Sequence, residues 1–151
     1  MNTRLKTIVL LFVSILGLSI VIPDQTMASS NASNLFCYGS TCSGKWPDVE
    51  GCSSGASTVM TAPGSGPSGT IEAQLRWSSA CNANWARAQS YSGNRYMKAE
   101  LYTNGYQSNL NFGIDVFTEM ESASYYHCAD GHMDTNPDPE YDTSTSYGAC
   151  Y

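Results

Sequence analysis

The chain is short of charge, of base and of histidine. Only 13% of its 151 residues are Asp, Glu, Lys or Arg; seven are basic, thirteen are acidic, and His127 and His132 are the only histidines. From Asp115 to Asp142 there are eight carboxylates and neither Lys nor Arg. Such a surface repels phosphate backbones and anionic lipid, so no nucleic acid and no membrane surface is expected as a partner. With two histidines, a Ser/His enzyme would have to use one of them. Both flank Cys128 in a segment without a nucleophile signal. No C-x-x-C pair occurs, which removes the usual zinc signature. No stretch beyond the first 28 residues carries helical periodicity, and no second apolar run follows the first.

That first run has the three parts of an export signal. Arg4 and Lys6 give a positive start, Ile8 to Ile22 is an uncharged, mostly Ile/Leu/Val stretch, and Pro23 ends it. Thr26-Met27-Ala28 supplies small residues for a signal peptidase, so cleavage is expected after Ala28, with Ala32 as a second candidate. A spanning helix needs about 20 apolar residues, more than this run supplies. The expected organisation is a signal peptide over 1–28, a flexible segment over 29–36 and one secreted β-rich domain over 37–151. The mature chain would have 123 residues and a net charge of −7, enough for one core. It is expected outside the cell, as a monomer, without a cofactor.

All six cysteines, Cys37, Cys42, Cys52, Cys81, Cys128 and Cys150, lie in the mature part. An even count in a small exported domain reads as a disulfide framework. Of fifteen possible connectivities, the expected ones pair the first four among themselves and Cys128 with Cys150.

The rest of the pattern is β. Thr70 to Trp77 alternates, with Ile71, Ala73, Leu75 and Trp77 on one face. Trp85 to Ser90 and Ala123 to Ala129 read as further strands, and Ser92-Gly93-Asn94 as a turn. Asn104-Gly105 is a two-residue hairpin signal. It predicts Thr103 opposite Tyr106, and so Leu101, Ala99 and Met97 opposite Ser108, Leu110 and Phe112, all on one apolar face that continues through Ile114, Val116 and Thr118. Ala62 to Gly69, rich in Gly, Pro and Ser, reads as a flexible loop. The fold class expected is mainly β: a small, disulfide-stapled antiparallel barrel or sandwich with irregular ends.

Three motifs match in letters only. Gly51-Cys52-Ser53-Ser54-Gly55 fits a nucleophile elbow, but a cystine is its neighbour and no helix follows. Gly64 to Gly69 fits G-x-G-x-x-G, but a strand follows where a helix is required. Asp134 to Asp138 begins like a calcium loop, yet Pro139 stands where Gly is needed. No catalytic residue and no firm metal ligand is therefore assigned. A looser calcium site among Asp130, Asp134 and Asp138, with Glu140 and Asp142, is the weak alternative to a solvated acidic loop. Trp77 and Trp85 read as core. Tyr96 and Tyr102, on the polar hairpin face, are the candidate binding residues, because exposed tyrosines stack on sugars or proteins.

Cys37-x-Gly39-x-x-Cys42-x-Gly44-Lys45-x-Pro47, then Gly51-Cys52, then Leu75-Arg76-Trp77-Ser78-x-x-Cys81-x-x-x-Trp85-Ala86-Arg87 resembles the YjfA-type family, a group of small uncharacterised bacterial domains. The resemblance spans about residues 37–88. It implies a Gram-positive source and an extracytoplasmic domain, and it implies no reaction. Arg76 and Arg87 flank Cys81 and are placed to pair with carboxylates, and Trp85 to pack beside a cystine. The function expected is a non-catalytic extracellular module binding a wall glycan, a surface polymer or a protein. The alternatives are an inhibitor of an extracellular enzyme, presenting the Ala62–Gly69 loop, and a small hydrolase, which would need a pocket holding His127 or two close carboxylates.

Overall fold

A computed structural model describes residues 36–103, 106–137 and 144–151. The export signal, both cleavage candidates, the Asn104-Gly105 turn, Asp138, Glu140 and Asp142 lie outside the described residues. Among the described residues no helix is long and apolar enough to cross a membrane.

A 3₁₀ turn at Gly39–Cys42 opens the domain, and among the described residues the remaining regular structure is strand. The strands are β1 Ser57–Gly66, β2 Gly69–Ser78, β3 Ala83–Ser90, β4 Arg95–Tyr102, β5 Tyr106–Gly113, β6 Asp115–Phe117, β7 Glu121–Ser122, β8 Cys128–Asp134 and β9 Ser144–Cys150. Every pairing is antiparallel. The order is β5-β4-β8-β9-β1-β2-β3-β6, with β7 also on β3. The sheet curls into a nearly closed barrel, as the alternation along β2 and the turn chemistry led one to expect.

The barrel interior is narrow because small residues line it. Ile71, Leu75, Met97, Leu101 and Met133 fill the centre, while Ala73, Ala86, Ala88, Ala99, Ala129 and Ala149 let opposing walls approach. Gly131 takes this furthest: a Cβ there would lie 3.1 Å from Ala88 and 3.3 Å from Ile71. A second core lies on the other face of the β2–β3 wall. There Cys37, Cys42, Cys52 and Cys81 pack with Ala83, Met120 and Trp85. Trp85 does sit beside cystines, but on the opposite sheet face from Leu75 and Trp77. The bridges are Cys37–Cys42, Cys52–Cys81 and Cys128–Cys150, one of the expected groupings.

Three expectations fail. First, Ala62 to Gly69 is not a flexible loop. β1 runs to Gly66 and pairs with β2 as far as Gly69, leaving Pro67-Ser68 as the turn. Gly64 is required by crowding, since its Cβ would fall 1.9 Å from the Thr145 carbonyl oxygen. The inhibitor alternative would therefore present this segment as a paired hairpin with Pro63 and Ser65 to Pro67 exposed, not as a free loop. Second, the hairpin register is one residue away from the prediction. Tyr102 pairs with Tyr106, Ala99 with Asn109 and Met97 with Asn111. A one-residue slip turns every side chain of a strand over, so Leu110 and Phe112 face outward and are exposed. The inward side of β5 instead carries amides that close the barrel seam: Gln107 Nε2 donates to Glu121 Oε1 (2.9 Å) and Asn109 Nδ2 to the Phe117 carbonyl (2.9 Å). Ile114 is exposed as well, and the inward face resumes only at Val116 and Thr118. Third, the C-terminal end is not irregular. β8 starts at Cys128 rather than Ala123, and β9 follows it.

Candidate functional site

The inward face of β2 reads Ile71, Ala73, Leu75 and then Trp77. The first three are fully buried; Trp77 is not, because the core ends at Leu75 and Trp77 stands at the barrel mouth. Asn84 is its partner on β3, and donates from Nδ2 to the Arg76 carbonyl at 3.1 Å. Beside it in the sheet, β1 shifts register between Thr58 and Met60. The extra residue, Val59, is turned toward the opening, the usual effect of a bulge. Asn82 closes the β2–β3 turn at φ 48°, a left-handed conformation that asparagine tolerates. Its carbonyl accepts from Ala123 N (3.1 Å), and the His127 and Tyr151 backbones exchange two hydrogen bonds (3.1 and 2.9 Å). These bonds fix the segment that carries Tyr125 and Tyr126.

The result is a concave groove of about 550 Å³ whose walls are Trp77, Tyr125, Tyr126, Tyr151, Asn82 and Asn84, with Val59 and Ala123. None of these side chains is charged at neutral pH. The three tyrosines are 56–71% exposed. Among the described residues, none of the four rings stacks on another ring. The groove thus offers flat apolar faces beside amide groups, a lining suited to recognition of a neutral polar ligand.

A second constellation lies on the outer face of β4 and β8. Glu100 is 4% exposed. It accepts from Tyr102 OH (2.7 Å), Tyr106 OH and His132 Nε2 (2.8 Å), with Lys98 Nζ at 3.0 Å. Burial alone would raise the Glu100 carboxyl. Hydrogen bonds from both tyrosines and Lys98, with the field of His132, outweigh it and hold the group at about 2. Burial and Glu100 push the two phenols up. In the unfolded chain the carboxyl titrates near 4.5, so between these values the unfolded state binds more protons. Stability from Glu100 is therefore present above pH 4.5 and lost as pH falls toward 2. Urea unfolding of Glu100→Gln beside the parent should show a deficit of about 2 kcal/mol at pH 7 that closes by pH 2. A deficit independent of pH would show that the carboxylate charge is not its origin.

Of the predicted binding residues, Tyr102 belongs to this cluster and Tyr96 leans on Phe112 (centroids 4.9 Å apart). Neither lines the groove. Asp130 and Asp134 share the outer side of β8 and both face backbone donors: Gly148 N reaches Asp130 (2.8 Å) and Asn136 N reaches Asp134 (3.0 Å). Asp138 lies outside the described residues. The described cluster of possible metal ligands is Cys37, Cys42, Cys52 and Cys81, whose sulfurs lie within 4.8 Å of one another. They are joined as two disulfides, which leaves no thiolate to donate. His127 is buried, its Nε2 is 2.8 Å from the Ser122 carbonyl, and burial pushes its pKa down despite that bond. Ser53 sits in a turn, its N–H bonded to the Pro47 carbonyl.

The family model described as "Protein of unknown function (DUF2690)" matches residues 40–147. No curated protein and no solved structure matches the chain.

Proposed function

We propose that this chain, which belongs to the DUF2690 family of proteins of unknown function, is a non-catalytic extracellular binding module whose barrel-mouth groove holds a neutral saccharide chain. The observation that carries the reading is the lining: four aromatic rings unstacked on one another and two asparagines, the Asn84 amide held by the Arg76 carbonyl, without a charged side chain, around a concavity. The C–H faces of a pyranose pack on aromatic rings, and its hydroxyls exchange hydrogen bonds with amides. Rigid rings lose little conformational freedom on binding, which favours affinity. The three bridges and the leader-like first 28 residues support action outside the cell, as does the resemblance to the YjfA-type secreted domains. A wall glycan is the ligand that fits this setting best.

The test is co-sedimentation of the oxidised chain from residue 29 with insoluble cross-linked wall glycan stripped of anionic polymer, and with chitin as an insoluble neutral N-acetylhexosamine polymer. It is paired with a fluorescence titration using a soluble N-acetylhexosamine oligomer. Retention on the glycan and a saturable change in tryptophan emission are expected. No retention, with no change up to millimolar oligomer, would overturn the proposal.

A further inference from the structure

A second pocket, of about 320 Å³, lies on the outer face of β2 and β3, beneath the cystine-rich segment. Arg76 and Arg87 open onto it beside Trp85, Phe117, Asp48 and Asp115. Arg76 pairs across the sheet with Trp85, and Arg87 with Gln74. The two guanidinium side chains are therefore diagonal neighbours on one face, where like charges repel.

Their surroundings differ. Arg87 is answered by an acid: its Nε and Nη2 donate to Asp115 Oδ2 at 3.1 and 2.6 Å, and Nη1 to Gln74 Oε1 at 3.4 Å. Arg76 donates to Thr58 Oγ1 and to the Ala56 carbonyl. Both acceptors are neutral, and among the described residues no carboxylate forms an ion pair with it. Burial and the field of Arg87 lower its hold on its proton. A chain with twelve acids to five bases beyond residue 28 has thus kept one arginine on neutral partners, in a cavity, next to a second arginine.

We propose that this pocket is an oxyanion site, in which Arg76, seconded by Arg87, holds a carboxylate or phosphate group against the Trp85–Phe117 wall. The planar guanidinium fork matches two oxygens of either group. The aromatic wall keeps water from one side of the ion pair, which strengthens it. The added negative charge also relieves the repulsion between the arginines. This site is independent of the saccharide groove, which is built from the opposite face of the same two strands.

The experiment is an NMR titration of the oxidised chain with inorganic phosphate and, separately, acetate, at ionic strength held constant with sodium chloride. The signals followed are the Arg Nε–H and Trp indole N–H resonances. Saturable shifts at Arg76 and Trp85 are expected. Saturation by phosphate alone assigns a phosphoryl ligand, and by acetate alone a carboxylate; saturation by both supports the shared chemistry. Arg76→Met should abolish saturation, and Arg76→Lys should weaken it. Because Arg76 also anchors β1, Asp48→Asn supplies a separate test. Asp48 is exposed, and removing its charge from the rim should tighten binding about three-fold. Shifts that stay linear, or an Asp48→Asn affinity equal to the parent's, would overturn the site.

Discussion

Replacing Cys52 and Cys81 together by alanine is expected to lower stability by about 3.5 kcal/mol, whereas the same change at Cys37 and Cys42 lowers it by about 2 kcal/mol. The difference follows from loop length. The first bridge closes a separation of 29 residues and the second only 5, and the unfolded chain loses more freedom when a longer loop is closed. Local packing adds to the contrast. Residues 36–56 contribute no strand to the barrel. Cys52–Cys81 fastens that segment to the β2–β3 turn, and both its cysteines are fully buried beside Trp85 and Met120. Without the bridge, the second core is held by side-chain packing and a few backbone bonds, such as Gly39 N to the Cys81 carbonyl (2.7 Å). Urea unfolding followed by near-ultraviolet circular dichroism gives both values. Equal losses for the two variants would show that loop closure is not what these bridges contribute.

Trp77→Ala is expected to weaken saccharide binding about thirty-fold or more, the loss typical of a central aromatic anchor, while leaving the barrel folded. Trp77 is the largest ring in the groove and belongs to neither buried core, so its truncation removes a ligand contact more than it opens a void. Tyr102→Phe is the matched control. It deletes a hydroxyl bonded to Glu100 on the outer sheet face and should leave affinity unchanged. If Trp77→Ala bound the oligomer within three-fold of the parent, the groove would not be the binding site. If Tyr102→Phe were the weaker binder, the outer tyrosine face would take its place.

The barrel was legible in the sequence where strands alternate and opaque where they do not. β2 announces itself because Ile71, Ala73 and Leu75 face one way and Glu72, Gln74 and Arg76 the other. β1 and β9 are broken by Gly, and β1 by Pro as well, residues whose strand preference is poor, and neither alternates cleanly. They are strands because neighbours pair with them, with Gly64 leaving room for the Thr145 carbonyl. Turn chemistry at Asn104-Gly105 marked the hairpin but not its register. That was decided by the seam, where Gln107 and Asn109 find partners on β7 and β6 only if Leu110 and Phe112 face outward. The groove was missed for a related reason. Trp77 has the same parity as the core, and the pattern does not say where the core stops. Tyr125 and Tyr126 fell in a segment that reads as a strand. Their adjacency was the usable signal, since two neighbouring rings in a strand cannot both point into one core.

The strand order also sets which pairings span the longest stretches of chain. β1, β2 and β3 form one meander and β4 with β5 another, each from neighbouring chain. The hairpin of β8 and β9 is inserted between them, next to β4 on one side and β1 on the other. Until Ser144–Cys150 is present, the two halves meet at the β6–β7 seam but lack the backbone pairing that β9 makes with β1 and β8. Contacts of such long sequence range form late and slowly.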